Sequence, residues 1–246
     1  MKVSIVTVCL NSESTILDTI LSVKNQTYND IEHLIQDGGS TDNTLEIIKQ
    51  NNPDAVINLS NDNGIYDAMN KAYVKASGDI ICVLNSDDYY IDNKVIEDVV
   101  CKFTKDNADV VYGDVNFLKD TNNEKEVKFS WKVGKRDNLT GIQIPHPSFF
   151  CRKYLIDKLG TPYDASMIIS ADYKQQLLIN HNNKRSYSYV NRPLVMIRLG
   201  GRSTNSLKSY FLGWKEFLVA NKEVTGSYRL EYLFNKIFKK AKNFFN

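Results

Sequence analysis

Residues 2–8 (KVSIVTV) form a β-branched run that predicts a first strand. Ile16, Leu17, Ile20, Leu21 and Val23 then recur at helical spacing, with Ser12 or Ser14 as the candidate N-cap. A second strand is predicted over 31–36 (IEHLIQ), and the polar turn 37–42 feeds a helix with Leu45, Ile47 and Ile48 inside. Residues 55–59 predict a third strand, Asn61-Asp62-Asn63-Gly64 a turn, and 65–76 a helix stopped by Gly78. Residues 79–84 (DIICVL) are a short apolar run between a glycine and a polar cluster, the pattern of a strand buried on both faces. Asn93 is placed to cap a helix carrying Val95, Ile96, Val99, Val100 and Phe103, and 109–115 (DVVYGDV) is another strand. Strands alternating with helices predict a largely parallel α/β sheet. Its loops after each strand gather along one edge, where open α/β sheets bind ligands.

The alternation stops after residue 115. Residues 116–133 read as a hairpin with Thr121-Asn122-Asn123 at its tip. Ile144-Pro145-His146-Pro147 is stiff and unsuited to a helix. Residues 148–151 predict a strand, 171–179 a helix capped by Ser170, and 185–197 one or two strands broken at Arg192-Pro193. Residues 199–203 (LGGRS) form a flexible basic loop. No repeat or linker separates the halves. The expected organisation is one domain over 1–205, with a regular half (1–115) and a smaller, mixed half (116–205), followed by a helical extension (206–246).

Composition narrows the picture. A net charge of +2 on 246 residues gives no nucleic-acid surface, so no nucleic-acid partner is expected. No signal peptide and no membrane-spanning run is read, and Cys9, Cys82, Cys101 and Cys151 fit neither a zinc site nor a disulfide framework. The expected location is cytoplasmic, with reduced thiols. Residues 229–246 add one apolar stripe (Leu230, Leu233, Phe234, Ile237, Phe238, Ala241, Phe245), with Arg229, Lys236, Lys239, Lys240 and Lys242 mostly off it. Such a helix either docks on its own protein or rests on the inner face of an anionic membrane.

The chemistry starts at Asn85-Ser86-Asp87-Asp88. Two neighbouring carboxylates after a buried strand need a partner or a cation, and a hard divalent ion holding phosphate oxygens suits them. On their own they are equally a solvated acidic turn. Further polar clusters on the same predicted edge, at 7–11, 37–42 and 61–64, favour the ion.

These segments resemble family 2 glycosyltransferases. The resemblance is carried by Val6-Thr7-Val8-Cys9-Leu10-Asn11, Ser22-Val23-Lys24-Asn25-Gln26-Thr27-Tyr28, Asp37-Gly38-Gly39-Ser40-Thr41-Asp42, Gly64-Ile65-Tyr66-Asp67-Ala68-Met69-Asn70-Lys71 and Asn85-Ser86-Asp87-Asp88, in that order. It implies an inverting, nucleotide-sugar-dependent enzyme of the GT-A fold, a mostly parallel Rossmann-like sheet flanked by helices. By the same resemblance Asp88 holds Mn²⁺ or Mg²⁺, with Asp87 near the metal or ribose. Asp37 accepts from the base, Thr7 and Asn11 border the nucleotide pocket, Asp62 faces base or ribose, and Lys71 lies beside the donor.

Inverting transfer needs a base for the acceptor hydroxyl. Ser170-Ala171-Asp172-Tyr173 is the best match to the family's acidic helix start, which makes Asp172 the candidate and Asp164 the runner-up. Ala171 replaces the first acid of the usual pair. His146 is a candidate contact to the diphosphate or acceptor, and Arg202 or Arg198 to the phosphates. The Gln-Arg-Trp signature of processive synthases is absent. The expected activity is transfer of a hexosyl or N-acetylhexosaminyl unit, from a UDP-linked donor, to a glycan or lipid-linked acceptor in surface-polysaccharide synthesis. The alternatives are a sugar nucleotidyltransferase, though 7–11 lacks a glycine-rich basic loop, and an inactive nucleotide-sugar-binding scaffold. A dinucleotide-dependent oxidoreductase lacks its G-x-G-x-x-G.

Overall fold

The computed structural model describes residues 1–121, 124–136, 139, 142–181, 185–200 and 207–231. In chain order the elements are β1 (Val3–Cys9), α1 (Ile16–Lys24), β2 (Ile31–Asp37), α2 (Thr44–Asn51), β3 (Val56–Leu59), α3 (Ile65–Tyr73), β4 (Ile80–Val83), β5 (Tyr89–Tyr90), α4 (Val95–Lys105), β6 (Val110–Thr121), β7 (Glu124–Trp131), β8 (Phe149–Arg152), α5 (Lys153–Asp157), α6 (Ala171–Asn180), β9 (Tyr187–Arg198) and α7 (Leu207–Thr225). One sheet takes strands from both halves of the chain, in the order β3-β2-β1-β4-β8-β6-β9-β5, with β7 paired to β6.

The predicted parallel half is present: β1 pairs in parallel with β2 and β4, and β2 with β3. Alternation along each strand feeds two cores. Val6, Val8, Ile81 and Val83 face the side covered by α3, α6 and α7. Val3, Ile5, Ile80 and Cys82 face α4. All of β4 is buried, because it is covered on both faces and paired on both edges. Its entry is tight. A Cβ on Gly78 would lie 2.7 Å from Ser4 Oγ and 2.8 Å from Lys2 O.

Three details differ from the sequence reading, the first at α4, where Lys94 and not Asn93 occupies the N-cap. Neither Ser12 nor Ser14 caps α1; Thr15 occupies the N-cap, and the Ser12 carbonyl accepts the Thr15 and Ile16 amides. Helix α3 ends at Tyr73, one turn short of the predicted stop.

The mixed half explains how the site is assembled. β8 runs antiparallel between β4 and β6, with Ile80 opposite Arg152 and Ile81 opposite Cys151. The lead into β8, a 3₁₀ turn at His146–Ser148, is therefore brought to the carboxyl end of β4. The hairpin of β6 and β7 forms as expected, while Asn122 and Asn123 at its tip lie outside the described residues. β9 is one strand, and its break falls where β6 shifts register from Gly113–Val190 to Asp114–Pro193.

Candidate functional site

The acidic turn is held from three directions. Asp88 N donates to Asn85 O at 3.1 Å, which closes the turn as the chain leaves β4. Thr19 of α1 donates from Oγ1 to Asp88 O at 2.7 Å. Arg198, at the end of β9, donates to Asp87 O at 2.7 Å, pairs with Asp18 and lies 5.2 Å from the centre of the Tyr89 ring. Asp88 is 3% exposed. Burial, then the neighbouring Asp87, push its carboxyl well above the usual range, while Arg198 pulls the other way.

A cation fits that electrostatic state. It would return Asp88 to the carboxylate form and relieve its repulsion with Asp87. The donors are hard oxygens, suited to Mg²⁺ or Mn²⁺. Among the described residues no group of three His, Cys, Asp or Glu gathers to hold a metal. Further ligands would therefore come from donor phosphates and water.

The second half adds a row of polar groups. Asn85 Nδ2 lies 3.0 Å from His146 Nε2. With Asn85 donating, His146 Nδ1 carries the ring proton, and it lies 3.9 Å from Asp172 Oδ2. Gln143 Nε2 donates to the same Asp172 oxygen at 3.3 Å. Desolvation holds the His146 ring below its usual pKa, against the pull of Asp172 and Asp87. Gln176 of α6 fixes this approach by accepting from Ile144 N at 3.0 Å and donating to Ile144 O at 2.9 Å. Asn85 Oδ1 and Asp172 Oδ1 are buried without a hydrogen-bond partner. An orphaned buried oxygen costs about 1–3 kcal/mol. Two of them flanking one histidine are oxygens that a polar ligand would satisfy.

The loops after β1, β2 and β3 lock together nearby. Asn11, at φ 50°, accepts at Oδ1 from Thr41 N (2.9 Å), and its own amide donates to Ser40 Oγ (2.9 Å). Ser12 Oγ meets Ser86 Oγ at 2.9 Å, which joins this corner to the acidic turn. Asp62 accepts from Lys71 at 3.1 Å and sits against Gly38, whose Cβ would meet Asp62 Oδ2 at 3.1 Å.

Four predicted site residues are engaged by partners inside the protein. Thr7 is fully buried; its hydroxyl donates to Leu84 O at 2.8 Å and meets His33 Nε2 at 3.0 Å, so it points into the sheet rather than into a pocket. Asp37 is also fully buried, and one oxygen accepts Gly39 N (2.9 Å) and Ser40 N (2.8 Å), the other Ser40 Oγ (2.6 Å) and Cys9 Sγ (3.4 Å). With those lone pairs occupied it shapes its own loop in place of reading a base. Lys71 is committed to Asn61 O (2.8 Å), Asp62 (3.1 Å) and Asp67 (2.8 Å), and it braces the 61–64 turn. Asp164 is engaged by Lys174 at 2.6 Å and by Ser166; these bonds hold it down to about 2, which makes it a poor proton acceptor. Arg202 and residues 232–246 lie outside the described residues.

Two participants were not singled out from sequence. Asn85 was visible inside its motif and was passed over for the carboxylates beside it. Gln143 carried no local signal, since only the packing of α6 brings it to Asp172.

This arrangement, an acidic turn at the carboxyl end of a central strand with polar loops on either side, has a family. Residues 4–160 match the sequence model of glycosyl transferase family 2, and the chain belongs to that family. It is 31% identical over 179 residues to a PGL/p-HBAD biosynthesis glycosyltransferase of Mycobacterium tuberculosis, covering 69% of this chain and 66% of that protein. The present chain thus spans just under two thirds of that relative's length. Over 95 residues, 38% of each chain, it is 38% identical to the Escherichia coli UDP-Glc:alpha-D-GlcNAc-diphosphoundecaprenol beta-1,3-glucosyltransferase WfaP. Among solved structures it resembles Staphylococcus aureus TarS 1-349 in complex with UDP-GlcNAc, with a TM-score of 0.70 at 17% identity, over 91% of this chain and 67% of that one. The fold is GT-A, as the sequence led one to expect.

Proposed function

We propose that this protein is an inverting glycosyltransferase that moves one sugar from a UDP-linked donor to a glycan or lipid-linked acceptor in cell-surface polysaccharide synthesis. One observation carries the reading: Asp172, whose Oδ1 is orphaned, faces His146 through Oδ2, and Asn85 joins that histidine to the acidic turn. That row sets a proton acceptor beside a place for a charged leaving group. The name of WfaP, which joins a UDP-sugar to a lipid-diphosphate acceptor, supports the donor and acceptor classes.

In this reading Asp172 removes the acceptor hydroxyl proton as that oxygen attacks the anomeric carbon. The bond to the donor diphosphate breaks in the same displacement, which inverts the anomeric centre. Asp88 and Asp87 would hold Mn²⁺ or Mg²⁺, whose chemistry there is to neutralise the departing diphosphate. His146 faces Asp172 Oδ2 with Nδ1, 3.9 Å away, and links it through Asn85 to the acidic turn. Asn11 and Asp62 border the nucleoside end.

The test is a thermal-shift panel of nucleoside diphosphates with and without Mn²⁺. UDP with Mn²⁺ should raise the Tm more than either alone. Asp88→Ala should abolish the metal-dependent part, and Asp172→Asn should keep it while losing transfer by on the order of 10²–10⁴-fold. No shift with any nucleotide would undo the reading. Normal transfer by Asp172→Asn would move the base elsewhere.

A further inference from the structure

We propose that Glu216 of α7 is the positioning residue for Asp172, so that α7 is a working part of the site. The proposal rests on Asp172 being the base. Glu216 lies beyond residues 4–160, where the family match ends.

Asp172 is loosely held by its own side chain. One carboxylate oxygen has no partner, and the other has Gln143 at 3.3 Å and His146 at 3.9 Å. Its placement therefore depends on the backbone that delivers it. That backbone is the lead into α6, where Ser170 is the N-cap and makes no side-chain capping bond. Backbone amides buried ahead of a helix need acceptors as much as those inside its first turn. Here one carboxylate from a distant helix accepts three consecutive amides. Glu216 Oε1 takes Ile168 N at 2.8 Å, and Oε2 takes Ile169 N at 2.9 Å and Ser170 N at 2.8 Å.

The grip extends along α7. Ser170 Oγ donates to Gly213 O at 3.1 Å. Gly213 has no side chain, and a Cβ there would lie 3.2 Å from Ile169 Cγ2. Past the site, Tyr173 stacks on Phe217 at 4.1 Å and donates to Asn221 at 3.2 Å. From the other side, Tyr66 of α3 donates to Ile169 O at 2.7 Å. The three residues that precede the first turn of α6 are thus clamped between α3 and α7. A local serine or threonine cap would reach only the amides inside the first turn. A buried carboxylate binding three amides fixes the loop in register with α7 at the cost of its own desolvation, and charge-assisted bonds of this kind are the stronger class.

The measurements use the full chain. UDP affinity is read with Mn²⁺ present, and turnover as UDP release from whichever of UDP-glucose, UDP-galactose and UDP-N-acetylglucosamine the wild type accepts. Glu216→Gln keeps the shape and turns an NH₂ toward the amides. It should lower kcat on the order of 10²-fold, the effect of a base displaced by about 1 Å, with UDP affinity within about twofold. Gly213→Ala is the second variant. Alanine favours a helix over glycine, so its Tm should not fall, while its crowding of Ile169 should still lower kcat. Combined with Asp172→Asn, Glu216→Gln should cost nothing further. Wild-type kcat in both folded variants overturns the proposal, and so does a Glu216→Gln loss that adds in full to that of Asp172→Asn. Should Asp172→Asn itself transfer normally, the base assignment fails first, and that outcome is separate from the other two.

Discussion

A chain of three hydrogen bonds crosses the sheet beneath the loops that follow β1 and β2. Asn52 Nδ2 donates to His33 Nδ1 at 3.0 Å, His33 Nε2 to Thr7 Oγ1 at 3.0 Å, and Thr7 to Leu84 O at 2.8 Å. The order requires neutral His33, whose burial pushes it down to about 4 from 6.5. The unfolded chain takes a proton from pH about 6.5 downward, and the folded chain not until about 4. The stability tied to neutral His33 is therefore complete above pH 6.5 and lost as pH falls toward 4, by about 3 kcal/mol. Urea melts at pH 7 and pH 4.5 should show this loss in the wild type and a smaller one in His33→Gln. Equal slopes would refute it. The relay also shows why single residues were partly legible. The acidic turn, His146 and Asp172 could be named because few residue types hold metals or move protons. Thr7 and Asp37 carry the same polar letters, yet their partners come from β2, β4 and their own loop. A one-dimensional pattern does not say which way a side chain points.

Helices and most strands were legible because burial repeats with their periods. The predicted break at Arg192-Pro193 marks the shift between β9 and β6, where proline has no amide to give the ladder. What local pattern did not contain was the order of strands in the mixed half, or the two-residue β5, whose existence depends on pairing with β9. Gly113 tests how tightly that join is built. A Cβ there would come within 2.6 Å of Leu194, which is fully buried. Gly113→Ala should destabilise the protein by about 1–3 kcal/mol through overpacking, measured by urea denaturation. An unchanged midpoint would mean that the join yields without strain.

At the scale of the molecule, the lipid-linked acceptor proposed above would require the protein to reach a membrane surface. No helix among the described residues is long and apolar enough to cross a membrane. The basic, apolar-striped segment 229–246 is the sequence's candidate for surface attachment. Deleting it should release the protein from anionic vesicles and leave neutral-vesicle binding unchanged, measured by co-sedimentation. Retained binding to anionic vesicles would reject the segment as the anchor. The donor and acceptor sugars were not legible at any scale. No motif in residues 116–205 marks them.

The antiparallel insertion of β8 has a consequence in time. β4 emerges during synthesis with one edge ready to pair with β1. Its other edge must wait for β8, which follows only after α4, β6 and β7 have been made. Over that interval the nascent chain carries Ile80–Val83 as an apolar strand with a bare backbone edge, the kind of surface that pairs with neighbouring chains. The strand that later delivers His146 to the site is also the one that closes this edge, so the chain becomes safe from aggregation and gains that side of its active site in a single pairing event.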